Sequence, residues 1–284
     1  MTEMKQQDFE IQSTGKRTVF GHSWLPAGTE VENIVVLIHG LGEHLGRYNN
    51  WAQKFCDVKF GVYALDLAGH GRSSGKRGHI DKFEDLFRDI TSLVDIAQSK
   101  HPKALIHLYG HSMGGTLVLG TILSHNLELA TIITTGPAIA PGFEPPSWKI
   151  ALAKFLDGFV PGLLLGNELD VEGISRDPAV VQAYKNDPLV HSKISVRWFN
   201  EWLRCVEKIK QNAKKINRPL LILHAGEDRL TSSIASESLA MTISPRATFK
   251  RWPNAFHELH NEPDKNDVFD FVIKWISTAT NSAS

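Results

Sequence analysis

Hydrophobic positions along the chain alternate between short unbroken runs and longer periodic stretches. Residues 33–39, 61–66, 104–109, 131–135 and 219–224 are compact runs rich in apolar and β-branched side chains. Such runs read as buried strands. Each leads into glycine or polar residues at its C-terminal end. Between the runs, Ile80, Phe83, Leu86, Phe87, Ile90, Leu93, Val94 and Ala97 recur every three or four residues, and Val268, Phe271, Val272, Trp275 and Ile276 do the same. Both spacings predict helices with one core-facing stripe. Strands alternating with helices predict an α/β fold on a mostly parallel sheet, with its chemistry gathered at the C-terminal strand ends.

Residues 137–215 break the alternation. They hold Pro141, Pro145, Pro146 and Pro161, then an amphipathic run with Ile194, Trp198, Phe199, Trp202, Val206 and Ile209. About 80 residues is too long for a connector. The expected division is therefore a core of residues 1–136 and 216–284, and an inserted cap, 137–215, over the sheet's C-terminal edge. Residues 277–284 are small and polar and predict a frayed tail.

Composition narrows the function classes. Lys plus Arg number 31 and Asp plus Glu also 31 in a chain of 284 residues, so no bulk charge draws the protein to nucleic acid. The two cysteines, Cys56 and Cys205, build neither a disulfide framework nor a structural zinc site, which fits a reducing compartment. Residues 1–10 lack the apolar core of a signal peptide, and no stretch approaches the roughly 20 apolar residues of a spanning helix. The expectation is a cytoplasmic protein, with peripheral membrane contact left open.

The sharpest chemical signal is Gly110-His111-Ser112-Met113-Gly114, a G-x-S-x-G set between a strand and a helix pattern. A serine at the tip of such a turn adopts strained backbone geometry that needs small neighbours, and the following helix directs its positive end at the serine. A serine hydroxyl needs a base to act as a nucleophile. Chain order in α/β-hydrolases is serine, acid, histidine. Asp228 ends the strand-like run after 220–224, and His257 sits in the loop before the last helix. Ser112 is thus the expected nucleophile, His257 the base and Asp228 the acid that orients it. Glu227 and Asp66 compete as acid, and His260 as base. His39-Gly40-Leu41-Gly42 follows the first buried strand, so the amides of Leu41 and Met113 are the expected oxyanion donors.

Together, residues 39–48 (with Gly40, Gly42, Glu43, His44, Arg47 and Tyr48), residues 66–73, residues 110–115 and the late Asp228 and His257 resemble the monoacylglycerol lipases among lysophospholipase-like α/β-hydrolases. Residues 183–189 also fit. The resemblance runs from about Gly21 to Ile276. It implies an α/β-hydrolase fold and a metal- and cofactor-free cleavage of glycerol monoesters of fatty acids. It also implies an apolar acyl tunnel under the cap and a polar glycerol pocket near Glu43, Arg47, Tyr184 and His260. By spacing alone, Glu43 and Arg47 read equally as a solvated i,i+4 pair. Another esterase, lysophospholipase or thioesterase, or a catalytically silent lipid- or partner-binding protein, remains the alternative. The apolar segment 155–166 either packs on the core or borders the tunnel and touches membrane.

Overall fold

The computed structural model describes residues 1–28, 30–142, 146–167 and 169–281. Up to the insertion the chain runs β1 (Met4–Gln12), β2 (Thr18–Pro26), β3 (Asn33–Ile38), α1 (Asn49–Asp57), β4 (Phe60–Leu65), α2 (Phe83–Lys100), β5 (Leu105–His111), α3 (Met113–Ile122) and β6 (Thr131–Thr135). The inserted segment holds α4 (Ser147–Asp157), β7 (Leu164–Gly166), α5 (Pro178–Asn186), β8 (Lys193–Ser195) and α6 (Val196–Asn212). Then follow β9 (Leu220–Ala225), α7 (Ser233–Ile243), β10 (Ala247–Trp252) and α8 (Lys265–Asn281).

Eight strands form one sheet in the order β1-β2-β4-β3-β5-β6-β9-β10. The pairs β1–β2 and β2–β4 are antiparallel, and every later pair is parallel. Strand alternation splits the core in two. Ile34, Val36 and Ile38 of β3 pack with α2 and α3 on one face, whereas Val35 and Leu37 pack with α1 and α8 on the other. After β3 the chain goes first to β4 on one side and then, through α2, to β5 on the other. The C-terminal ends of β3 and β5 therefore flank the point where the strand order reverses, which is where open α/β sheets bind ligands.

All five expected strands and both expected helical stripes are present. Two strands have weak signals. β1 is largely polar, with only Ile11 fully buried, and β10 is a half-exposed edge; both gain their hydrogen bonds from a neighbour rather than from an apolar pattern. α8 continues to Asn281, so the predicted frayed tail is helical over most of its length, and residues 282–284 lie outside the described residues. The helix after Ser112 ends at Ile122.

Asp66, one of the rival acids, has a structural task. Its Oδ1 accepts from the Leu45 amide at 2.8 Å and its Oδ2 from the Arg72 amide at 2.7 Å, and it is 1% exposed. Asp66→Ala strands one buried and one part-buried donor and should cost about 2–5 kcal/mol of stability. A urea midpoint equal to wild type would rule this role out.

Candidate active site

Ser112 joins β5 to α3 with φ 53° and ψ −118°, a left-handed conformation that costs a side-chain-bearing residue about 1–3 kcal/mol. The neighbouring glycines make that geometry possible. A Cβ on Gly114 would collide with the carbonyl oxygens of Ile38 and His39, and one on Gly110 with the backbone of Gly114. The turn is therefore pressed against the end of β3. That same end carries the 40–42 turn, where Gly42 has φ +77°. The amides of Leu41 and Met113 have no hydrogen-bond partner among the described residues, and both residues line the cavity above Ser112.

Asp228 follows β9 with its side chain wholly buried. Its Oδ1 accepts from the amides of Leu230 and Thr231 at 2.8 and 2.9 Å, and its Oδ2 from the Thr231 hydroxyl at 2.9 Å. Oδ2 also meets His257 Nδ1 at 2.6 Å. Burial by itself would raise the Asp228 pKa, but attraction to His257 and hydrogen bonds from His224 and His257 hold it well below the ordinary carboxylate value. The reverse balance acts on His257. Burial favours its neutral form, yet the Asp228 charge and hydrogen bond outweigh that and raise its pKa above the usual 6.5. Gly136, at φ +51°, gives the imidazole room, since a Cβ there would stand 3.1 Å from the ring. Glu227, the other rival acid, is exposed.

Ser112, His257, Leu41, Met113, Glu43 and Tyr184 all border one cavity of about 170 Å³. Trp198, Phe199 and Trp202 of α6 supply apolar wall. Arg47 and His260 stand behind the wall rather than in it. Arg47 lies against the Tyr184 ring, 4.7 Å from its centroid, and His260 stacks on Tyr48 at 4.5 Å. Burial and the neighbouring His111 push the His260 pKa down to about 3, so its ring is neutral.

The Glu43–Arg47 pair is not solvated. Its side chains are 3% and 9% exposed and 2.6 Å apart. Glu43 also accepts from the Gly40 amide at 2.6 Å and the Tyr48 hydroxyl at 2.7 Å, so it braces the turn that presents Leu41. Sequence reasoning missed Glu258, which pairs with both arms of Arg47 at 2.6 and 2.7 Å. Its one signal was a charge inside the otherwise apolar stretch Ala255, Phe256 and Leu259 around His257.

The inserted segment is tied to both halves of the site. The Gly42 carbonyl accepts from the His191 amide at 2.8 Å, and the Ile174 carbonyl from the Glu258 amide at 2.8 Å. The apolar stretch around α4 behaves differently from a packed segment: Trp148, Phe155 and Phe159 are 62%, 65% and 73% exposed. No helix among the described residues is long and apolar enough to cross a membrane.

Comparison with known proteins shows the family and the fold. The family described as Serine aminopeptidase, S33, matches residues 29–264. A monoacylglycerol lipase of Mycolicibacterium smegmatis is 37% identical over 89% of this chain and 90% of its own length. An uncharacterized abhydrolase domain-containing protein of Dictyostelium discoideum is 34% identical over 96% of this chain, which spans only 29% of that longer protein. The crystal structure of Paleococcus ferrophilus monoacylglycerol lipase superposes with a TM-score of 0.80 at 30% identity, covering 98% of this chain and 99% of the other.

An imidazole held toward its protonated form loses base function at higher pH than a free histidine does. The acid limb of kcat/KM should therefore lie above pH 6.5, with activity falling as pH drops through it. Asp228→Asn should move that limb downward and lower kcat by about 10⁴-fold. A limb unmoved in the variant would show that His257 is not the titrating group.

Proposed function

We propose, on the premise that the chain belongs to the serine aminopeptidase S33 family of α/β-hydrolases, that it cleaves monoacylglycerols to glycerol and free fatty acid. The observation that carries this reading is the meeting of Ser112, the Asp228–His257 pair and two backbone amides, unpartnered among the described residues, at one cavity with an apolar wall. The similarity to monoacylglycerol lipases supports the choice of substrate.

In the proposed reaction, Ser112 Oγ adds to the ester carbonyl carbon while its proton passes to His257 Nε2. Asp228 fixes the proton on Nδ1 and stabilises the imidazolium that forms. Negative charge on the carbonyl oxygen falls to the amides of Leu41 and Met113, each worth about 3 kcal/mol in the transition state. The carbon–oxygen bond to glycerol then breaks, and the imidazolium returns its proton to the departing alcohol oxygen. Water repeats the sequence on the acyl-enzyme and frees the fatty acid. No step calls for a metal or an organic cofactor.

We read residues 137–215 as a cap. Its α6 aromatics would cover the acyl chain, and the exposed side chains of Trp148, Phe155 and Phe159 would meet a lipid surface from which substrate is drawn. An aminopeptidase needs a carboxylate free to take a substrate's amino terminus. The two carboxylates that line the cavity among the described residues, Glu43 and Glu258, are already engaged by Arg47, which weighs against that reading.

Ser112→Ala should abolish hydrolysis of 1-oleoylglycerol and labelling by a fluorophosphonate probe, with an unchanged circular dichroism spectrum. Labelling that persists would overturn the nucleophile assignment. For the lipid surface, the double variant Phe155→Ser, Phe159→Ser should partition onto liposomes about tenfold less than wild type; equal partitioning would remove the membrane contact from the account.

A further inference from the structure

Among the described residues, two buried carboxylates border the cavity above Ser112. Glu43 and Glu258 both line it, and each is 3% exposed. Glu43 is hydrogen-bonded to Gly40, whose Cβ position lies 3.3 Å from the Ser112 Cβ, and Glu258 follows His257 directly in the chain. No lysine or arginine lines the cavity among the described residues.

The cation behind the wall, Arg47, has its arms committed. Its Nη1 donates to Glu43 Oε2 and to Glu258 Oε1, both at 2.6 Å, and its Nη2 to Glu258 Oε2 at 2.7 Å. Burial would raise the Glu258 pKa, but the Arg47 charge and hydrogen bonds lower it, so the carboxylate is ionised. Burial and the neighbouring His257 push His111 down to about 3, which leaves that ring uncharged. Two carboxylates against one guanidinium leave one negative charge. The Asp228–His257 pair adds either none or another of the same sign.

We propose that Glu258 is a specificity-determining residue that bars anionic head groups, restricting the leaving alcohol to uncharged polyols. The proposal rests on the ester-hydrolase reading above and narrows its substrate class. A phosphate on the glycerol would face two carboxylates with no uncommitted cation to receive it, and like charges brought together in a desolvated site are strongly repelled. Glu43 alone would balance Arg47 one to one and leave Nη2 without a carboxylate. The second carboxylate removes that option.

The experiment compares kcat/KM for 1-oleoylglycerol with that for 1-oleoylglycerol 3-phosphate, taking the ratio within each enzyme so that a general loss of rate cancels. Wild type should favour the uncharged ester by at least about 100-fold, and Glu258→Gln should shrink that preference at least about tenfold. A ratio unchanged in the variant, or near unity in wild type, would overturn the proposal. Wild type alone supplies a second measurement: 1-O-dodecylglycerol should inhibit at least about 30-fold more strongly than dodecyl phosphate, and equal inhibition would also overturn it. Failure of wild type to cleave 1-oleoylglycerol would remove the ester-hydrolase reading and this proposal with it. Equal cleavage of the two glycerol esters would remove this proposal alone.

Discussion

The close approach of the 110–115 turn to the end of β3 is the constraint on which the rest of the site depends. Two backbone segments lie so near each other that no Cβ fits on Gly114. That contact holds Ser112 in a left-handed conformation it would not choose, and it sets the Met113 amide beside the 40–42 turn. The sheet supplies the rigidity. β3 and β5 are adjacent and parallel, with both faces buried, so their ends cannot drift apart without breaking the hydrogen-bond ladder and both layers of core packing. Strain at one residue is stable because its surroundings leave no room to relax.

Around that contact the protein buries an unusual amount of charge and satisfies it locally. Asp228 is held by two amides, a hydroxyl and two imidazoles. Glu43, Arg47 and Glu258 form one hydrogen-bonded group that reaches from the 40–42 turn to the histidine loop. Removing one partner from such a group leaves an uncompensated buried charge, which is far costlier than losing the whole group. The network therefore joins the two sides of the cavity, and the positions of Leu41 and His257 depend on each other. The inserted segment adds backbone ties at Gly42 and Glu258. Its base is fastened to the site, while its apolar outer stretch around α4 stays in solvent.

Much of this was legible in the amino-acid order. A buried strand of a parallel sheet must be apolar on both faces, so β3, β4, β5 and β9 stand out as short unbroken runs. The strand–turn–helix setting of Ser112 demands glycines at fixed offsets, and the late aspartate follows a strand end with the histidine after it in the loop before the last helix. These are local rules, and local sequence carries them. β1 and β10 carried no such signal, because an edge strand is stabilised by its neighbour's hydrogen bonds and leaves one flank in solvent. Segment 155–166 was equally mute: an apolar residue looks the same in sequence whether it faces core or water.

The polar end of the cavity belongs to tertiary structure. Spacing of four between Glu43 and Arg47 describes a solvated helical pair as well as a buried one, and only the fold desolvates it. Glu258 is 211 positions from Arg47, too far for any periodicity to connect them, and their bidentate contact exists because the histidine loop closes over the end of the sheet. By itself the sequence determined the five central strands of the sheet, the strained serine turn and the chain order of Ser112, Asp228 and His257, since each follows from residues within a short window. Which carboxylates share the arginine, which face the cavity and what net charge results were decided by long-range packing, because electrostatics depends on distance and burial that no short window contains.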